Sequence, residues 1–194
     1  YEPLSLLEEK ITINSIQLLG FSVQLNKETP DSDTNIQFLL DAFAQKDSVK
    51  KEPNLDLRIN SVLIRRGNVS YDVQSIPETP GKFNPSHIGI QDFEATISVK
   101  ALKSDSLNAT IRRLAFTEKS GLELKKMGVR LIADNNHLTI NEFTVQFPNT
   151  TIGLDNMEVR FDSLQHLPLM TSDVDYKGEI KASLFLPDFS PIIP

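Results

Sequence analysis

The chain has 194 residues, 20 Lys+Arg against 26 Asp+Glu, a net charge of -6, a hydrophobic share of 39% and no Cys. Zero cysteines exclude disulfide scaffolds, cysteine nucleophiles and thiolate zinc sites. The acidic balance argues against duplex nucleic acid as a partner, and no apolar run of about 18 residues offers a transmembrane helix.

The length suits one β-rich domain spanning 1–194. The chain starts at Tyr1 rather than Met and stops at Pro194 in an apolar tail. It therefore reads as a piece of a longer protein, and the missing signal peptide carries no information. Near the start, Ser5-Leu-Leu-Glu8 is a short capping-box pattern. The better helix signal is Ile36, Leu39, Leu40 and Phe43, spaced i, i+3, i+4, i+7. Thr34-x-x-Gln37 supplies its cap, with Asp31 and Asp33 ahead as dipole partners, so the expected helix covers 34–45. A charged linker follows at 46–53. A Pro-rich loop is expected over 75–85, where Pro77, Pro80, Gly81 and Pro85 forbid a central strand.

The rest reads as strand, and one template keeps returning: apolar, any, apolar, two polar, apolar, any, apolar. Its copies are Ile11, Ile13, Ile16, Leu18; Leu57, Ile59, Val62, Ile64; and Ile88, Ile90, Phe93, Ala95. Next come Ala109, Ile111, Leu114, Phe116; Leu122, Leu124, Met127, Val129; Leu138, Ile140, Phe143, Val145; and Ile152, Leu154, Met157, Val159. Alternation places side chains on one face of a sheet. A step of three would throw the later residues onto the other face. A β-bulge at the polar pair restores the face; a sharp bend, where the strand changes sheet, is the alternative. The later copies recur at about 13 to 16 residues, the spacing of strands joined by short turns. Gly121 and Asp134-Asn135-Asn136 suit such turns. A last strand, Ile180, Ala182, Leu184, Leu186, alternates without the step. The expected fold is mainly β: an elongated, curved and bulged antiparallel sheet with one short α-helix. One helix cannot cover so long an apolar face, which must fold on itself, meet a partner or hold an apolar ligand.

Catalytic and metal motifs are missing from the sequence. His87, His137 and His166 each stand alone beside turn residues, with no second ligand at metal spacing, and read as solvated loop histidines. Asp31-x-Asp33-x-Asn35 opens like a calcium loop, but Ile36 and Ala42 stand where its glycine and its bidentate glutamate belong. Neither a Gly-rich phosphate loop nor a nucleophile elbow occurs, so the chain reads as non-enzymatic, with no cofactor. Asn68, Asn108 and Asn149 begin glycosylation sequons that chance explains. Arg65-Arg66, Arg112-Arg113 and Lys125-Lys126 read as solvated positions on bulged strands rather than head-group contacts.

The segment Leu138-Thr-Ile-Asn-Glu-Phe-Thr-Val-Gln-Phe-Pro-Asn-Thr-Thr-Ile-Gly-Leu154 resembles repeats of the AsmA/TamB superfamily, where a strand ends in an apolar-Pro-x-Ser/Thr turn. Gly178 to Pro191, and Val62-Leu-Ile-Arg-Arg-Gly-Asn-Val-Ser-Tyr-Asp72, look like further elements of such chains. The overall likeness is to the large TamB-like envelope proteins of Bacteroidetes, from about Ile11 onward. The helix at Thr34 and the Pro-rich loop depart from the simplest repeats. The resemblance implies a taco-like groove in a periplasmic protein anchored in the inner membrane. It also implies a part in outer-membrane biogenesis, through phospholipid transfer between membranes or outer-membrane protein assembly. The expected partners are phospholipid or another acyl-chain ligand, with outer-membrane assembly proteins besides. Candidate lipid-lining residues are Val129, Leu131, Leu138, Ile140, Val145, Phe147, Ile152 and Leu154. The competing expectation is a closed β-sandwich-like module that binds protein and holds no lipid.

Overall fold

The computed structural model describes residues 10–38, 41, 56–103, 105–161 and 175–193. They form one ten-stranded sheet. In chain order the strands are β1 (Lys10–Ile13), β2 (Ile16–Leu19), β3 (Ser22–Lys27), β4 (Asp56–Val73) and β5 (His87–Leu102). Then come β6 (Leu107–Glu118), β7 (Glu123–Ala133), β8 (His137–Gln146), β9 (Thr151–Arg160) and β10 (Asp175–Ser183). From β4 to β10 each strand pairs antiparallel with the next, and from β5 to β9 short turns dictate it. The substantial contacts between these elements are all between sheet neighbours, so no second sheet packs on the first among the described residues.

One edge departs from the antiparallel expectation. β1, β2 and β3 all run parallel to β4, and lie end to end along it. Together they make one edge strand in three pieces. Its breaks fall at Asn14-Ser15 and Gly20-Phe21, opposite irregular points of β4, where register shifts occur between Ile59 and Val62 and between Ile64 and Gly67. Local bonds stitch the breaks. Asn60 Nδ2 donates to Asn14 Oδ1 (3.1 Å), Gly20 N–H to Arg65 O (3.0 Å) and Asn68 N–H to Phe21 O (2.9 Å). Gly67 has no side chain because Phe21 needs the room: a Cβ there would stand 2.5 Å from the ring's Cζ.

The polar pairs of the template are bulges within one sheet, not bends between two. Register shifts fall at Gln91-Asp92, at Arg112-Arg113 opposite Gly128, at Lys125-Lys126 opposite Ala115, at Asn141-Glu142 and at Asp155-Asn156. Arg66 (φ 53°), Asp92 (φ 51°) and Glu142 (φ 53°) take the left-handed conformation that a bulge uses to absorb its extra residue.

The restored face is continuous. One row runs Leu18, Ile64, Ala95, Leu114, Met127, Val145, Ile152, Ala182, crossing eight strands without a polar residue. A second runs Ile13, Ile59, Val99, Ala109, Leu131, Ile140, Met157 and ends at Gly178. Residues of the other face pair as Ser98, Thr110, Arg130, Asn141, Asn156. On that face Arg113 and Lys125 are ion-paired to Glu94 (2.8 Å) and Glu123 (2.6 Å), which removes them as free cations.

The helix expected over 34–45 is not present as a complete element. Gln37, Phe38 and Asp41 are helical, and Gln37 Nε2 donates to Asp41 Oδ1 (2.9 Å). Residues 39–40 and 42–45 lie outside the described residues, as do Ser5-Glu8, the linker 46–53 and His166. Thr34 does not cap with its hydroxyl, whose oxygen is buried without a hydrogen bond. Asn35 anchors the segment instead, accepting from Asn26 N–H (3.0 Å) and donating to Gln24 O (3.0 Å). The final strand is also shorter than its alternation suggested. β10 ends at Ser183, and Leu186–Phe189 forms a 3-10 turn with Pro187 in its first positions.

Candidate functional site

The eight residues singled out as lining all lie on the apolar face. Leu131 and Ile140 stand opposite each other, as do Val145 and Ile152. Leu138 pairs with Ala133 and Val159, Leu154 with Phe143, and Val129 with Ile111. Val129 and Leu154 are buried, at 6% exposure each, while Leu131, Leu138, Ile140, Val145 and Ile152 are half-buried. Phe147 continues the face beyond β8 and meets Phe189 edge-on, ring centroids 4.9 Å apart. Half-burial along a whole row is what a single sheet layer produces: neighbours shield each side chain laterally, and no second layer closes over it among the described residues. Towards the edges exposure rises, to 46% at Leu18, 66% at Ile180 and 73% at Tyr176.

The strands fix where loops gather. The 74–86 loop, the β6–β7 turn and the β8–β9 turn share what we term the upper end; the β5–β6 and β7–β8 turns share the lower end. At the lower end Asp134 Oδ1 accepts from Asn136 N–H (3.2 Å), an Asx turn, and from His137 N–H (2.9 Å), which shapes the β7–β8 connection.

The upper end holds the polar chemistry. His87 opens β5, Asp72 lies directly opposite it near the end of β4, and the loop 74–86 folds back over both. His87 Nδ1 meets Asp72 Oδ1 at 2.5 Å, and Nε2 meets Ile76 O at 2.7 Å. Both partners are acceptors, so the ring satisfies both only as the imidazolium, donating from each nitrogen. The Asp72 hydrogen bond accordingly raises the His87 pKa, against a smaller opposing effect of burial. His87 is 3% exposed. It is not the solvated loop histidine its sequence neighbourhood suggested, because the opposing strand supplies a carboxylate that no local pattern reveals. Asp72 and His87 flanking a Pro-rich loop were the available signal.

Glu78 joins this cluster, with Asp72, Glu78 and His87 ligand atoms all within 4.8 Å of one another. The adjoining cavity, about 310 Å³, is lined by Glu78 to Lys82, Asn84, His87, Lys119 and Ser120. Three such donors have the chemistry of a divalent-cation site. Each is otherwise engaged: Glu78 holds the Lys119 ammonium at 3.0 Å, and both imidazole nitrogens are bonded. A cation would have to displace Lys119 and the ring proton. As it stands, the cluster is a salt-linked lock on the loop.

Next to it, Glu118 is 2% exposed at the end of β6. Burial works against its ionisation, but donors on Ser120 and Gly89 outweigh this and hold its carboxyl below the usual range. Gly89 N–H donates to Oε1 (3.0 Å) and Ser120 N–H to Oε2 (2.7 Å), so the charge ties β5 to the β6–β7 turn. Its role is structural, since its oxygens face backbone amides rather than open space.

Compared with known proteins, the chain matches no family model, no curated protein and no solved structure.

Proposed function

We propose that this chain is a non-enzymatic segment of an envelope protein whose apolar sheet face shelters the acyl chains of phospholipid while head groups stay in water. In this reading it belongs to a periplasmic protein of the AsmA/TamB kind. The parent chain would be anchored in the inner membrane and act in outer-membrane biogenesis, by lipid transfer or by assisting outer-membrane protein assembly. Transfer is passive sliding along the face, with no covalent step. The observation that carries the reading is the unbroken apolar row from Leu18 to Ala182, half-buried at its centre and without a second layer over it among the described residues. A monomeric soluble domain rarely leaves so large a contiguous apolar surface without a use for it. No helix among the described residues is long and apolar enough to cross a membrane. Photo-crosslinking residues placed at Val145 or Leu154 in cells should capture phospholipid. Their failure to do so in folded protein would reject the lipid reading.

A second reading is favoured by β10, whose nine residues are all exposed and which, among the described residues, pairs only with β9. Its free backbone edge would accept a strand from a protein partner. Crosslinks from Lys177 or Lys181 to protein, with none to lipid from Val145, would select it.

A further inference from the structure

Beyond β10, residues 184–193 do not continue as strand. They turn back across the upper end of the sheet and are anchored on both sides of it. On one side Phe185 N–H donates to Thr150 Oγ1 (2.9 Å), and the Asp188 carboxylate accepts from Asn149 N–H (2.8 Å) and Nδ2 (3.1 Å). Phe189 packs on Phe147 at the same place. On the other side Phe83 N–H donates to Pro191 O (2.8 Å). Lys82 Nζ donates to Ser190 O (2.9 Å) and Ile193 O (2.7 Å).

These anchorages belong to different flanks of the sheet. Asn149 and Thr150 lie in the turn between β8 and β9, Lys82 and Phe83 in the loop before β5, with β6 and β7 between. From β5 to β9 is four strand spacings, about 19 Å. The path from Phe185 to Pro191, part of it a 3-10 turn, covers about 15 Å. The overhanging loop supplies the remainder. Thr150 and Pro191 are buried at the two contacts, so the segment is seated rather than loosely draped.

We propose that residues 184–193 are a clasp. It fixes the separation of the two flanks at the upper end, and it stops that end of the apolar face, so that a single acyl chain lying on the face can extend only up to it. The first half stands on the hydrogen bonds alone. The second half rests on the lipid reading above, and narrows its ligand to amphiphiles whose chains end at Phe147 and Phe189.

The test pairs two measurements on the protein and on two released variants, Lys82→Ala/Asp188→Ala and the milder Phe189→Ala. Spin labels at Thr79→Cys and Pro148→Cys report the distance between flanks. A lysophosphatidylcholine series of increasing chain length reports the stop. With the clasp intact, affinity should rise by about fourfold per methylene and then level off at a fixed length. Release should widen the inter-label distance by several ångströms and move the plateau to longer chains. An unchanged distance in both released variants overturns the clasp. Affinity that climbs without a plateau in the native protein, or a plateau that release does not move, overturns the stop while leaving the lipid reading intact. No binding at any chain length overturns the lipid reading, and the stop with it.

Discussion

The same sequence step has two outcomes in this molecule. In β4 to β9, an apolar alternation interrupted by two polar residues stays one strand and absorbs the interruption as a bulge. Along the edge, Ile11, Ile13, Ile16 and Leu18 carry the same pattern around Asn14-Ser15, and the strand breaks into β1 and β2. The difference lies in the partners. An inner strand is held by ladders on both sides, and breaking it would orphan two sets of backbone groups. Among the described residues the edge strand has only β4 beside it, so a break orphans one set, and water or a short stitch such as Asn60 to Asn14 replaces it. A bulge is thus what the template becomes under bilateral constraint.

The comparison can be broken at its strongest point first. Leu154, 6% exposed in β9, should lose about 2–4 kcal/mol of unfolding free energy when replaced by alanine. Leu18→Ala on the edge, at 46% exposure, should lose less than about 1 kcal/mol in the same urea titration. Equal losses would mean that the edge is packed like the interior. Next is the join between β2 and β3. Gly67→Ala drives a Cβ into the Phe21 ring and should cost about 1–3 kcal/mol. In a Phe21→Ala background the same change should be nearly free, and a double-mutant cycle measures the coupling.

The third prediction concerns pH. The His87 pKa is raised above the ordinary 6.5 by its bond to Asp72. The stabilisation is therefore complete below the unfolded-state value and is lost as pH rises through the higher folded-state value. Unfolding free energy should fall across that alkaline-going window in the native protein, and His87→Gln should remove that dependence. A slope that persists in the variant would locate the titration elsewhere. The smallest effect is expected at a bulge. Glu142 is exposed with φ 53°, so Glu142→Gly should be neutral or stabilising by up to about 1 kcal/mol, with the register of β8 unchanged by NMR.

Much of the sheet was legible because it is written in short-range pattern. Leu138, Ile140, Phe143 and Val145 carry both the face and the bulge of β8 within a single short stretch. Pairing direction was not legible. Nothing local in Ile16 to Leu19 says that its neighbour is β4, reached by a long connection, or that it runs parallel. The upper-end network failed to show for the same reason. His87 looks solitary in sequence, and its partners Asp72 and Ile76 are brought to it only by the β4–β5 register and the loop. The clasp was hidden by propensity, since Leu184 and Leu186 continue an alternation that Pro187 terminates. For the apolar lining, face and row follow from the pattern, whereas occupancy by lipid is a question of chemistry that pattern does not answer.

The exposed edge formed by β10 has a consequence for colloidal behaviour. Asp175, Lys177, Glu179 and Lys181 occupy alternate positions along it, while Tyr176, Ile180 and Ala182 point to the apolar face. A bare edge beside a greasy surface is a template for runaway self-association. Four charges, one at every second residue, act as gatekeepers, because a second strand laid on this edge would strip water from them. Charges at such an edge bear on how concentrated the protein can become, while an exposed pair such as Lys181 and Asp155 adds little to folding.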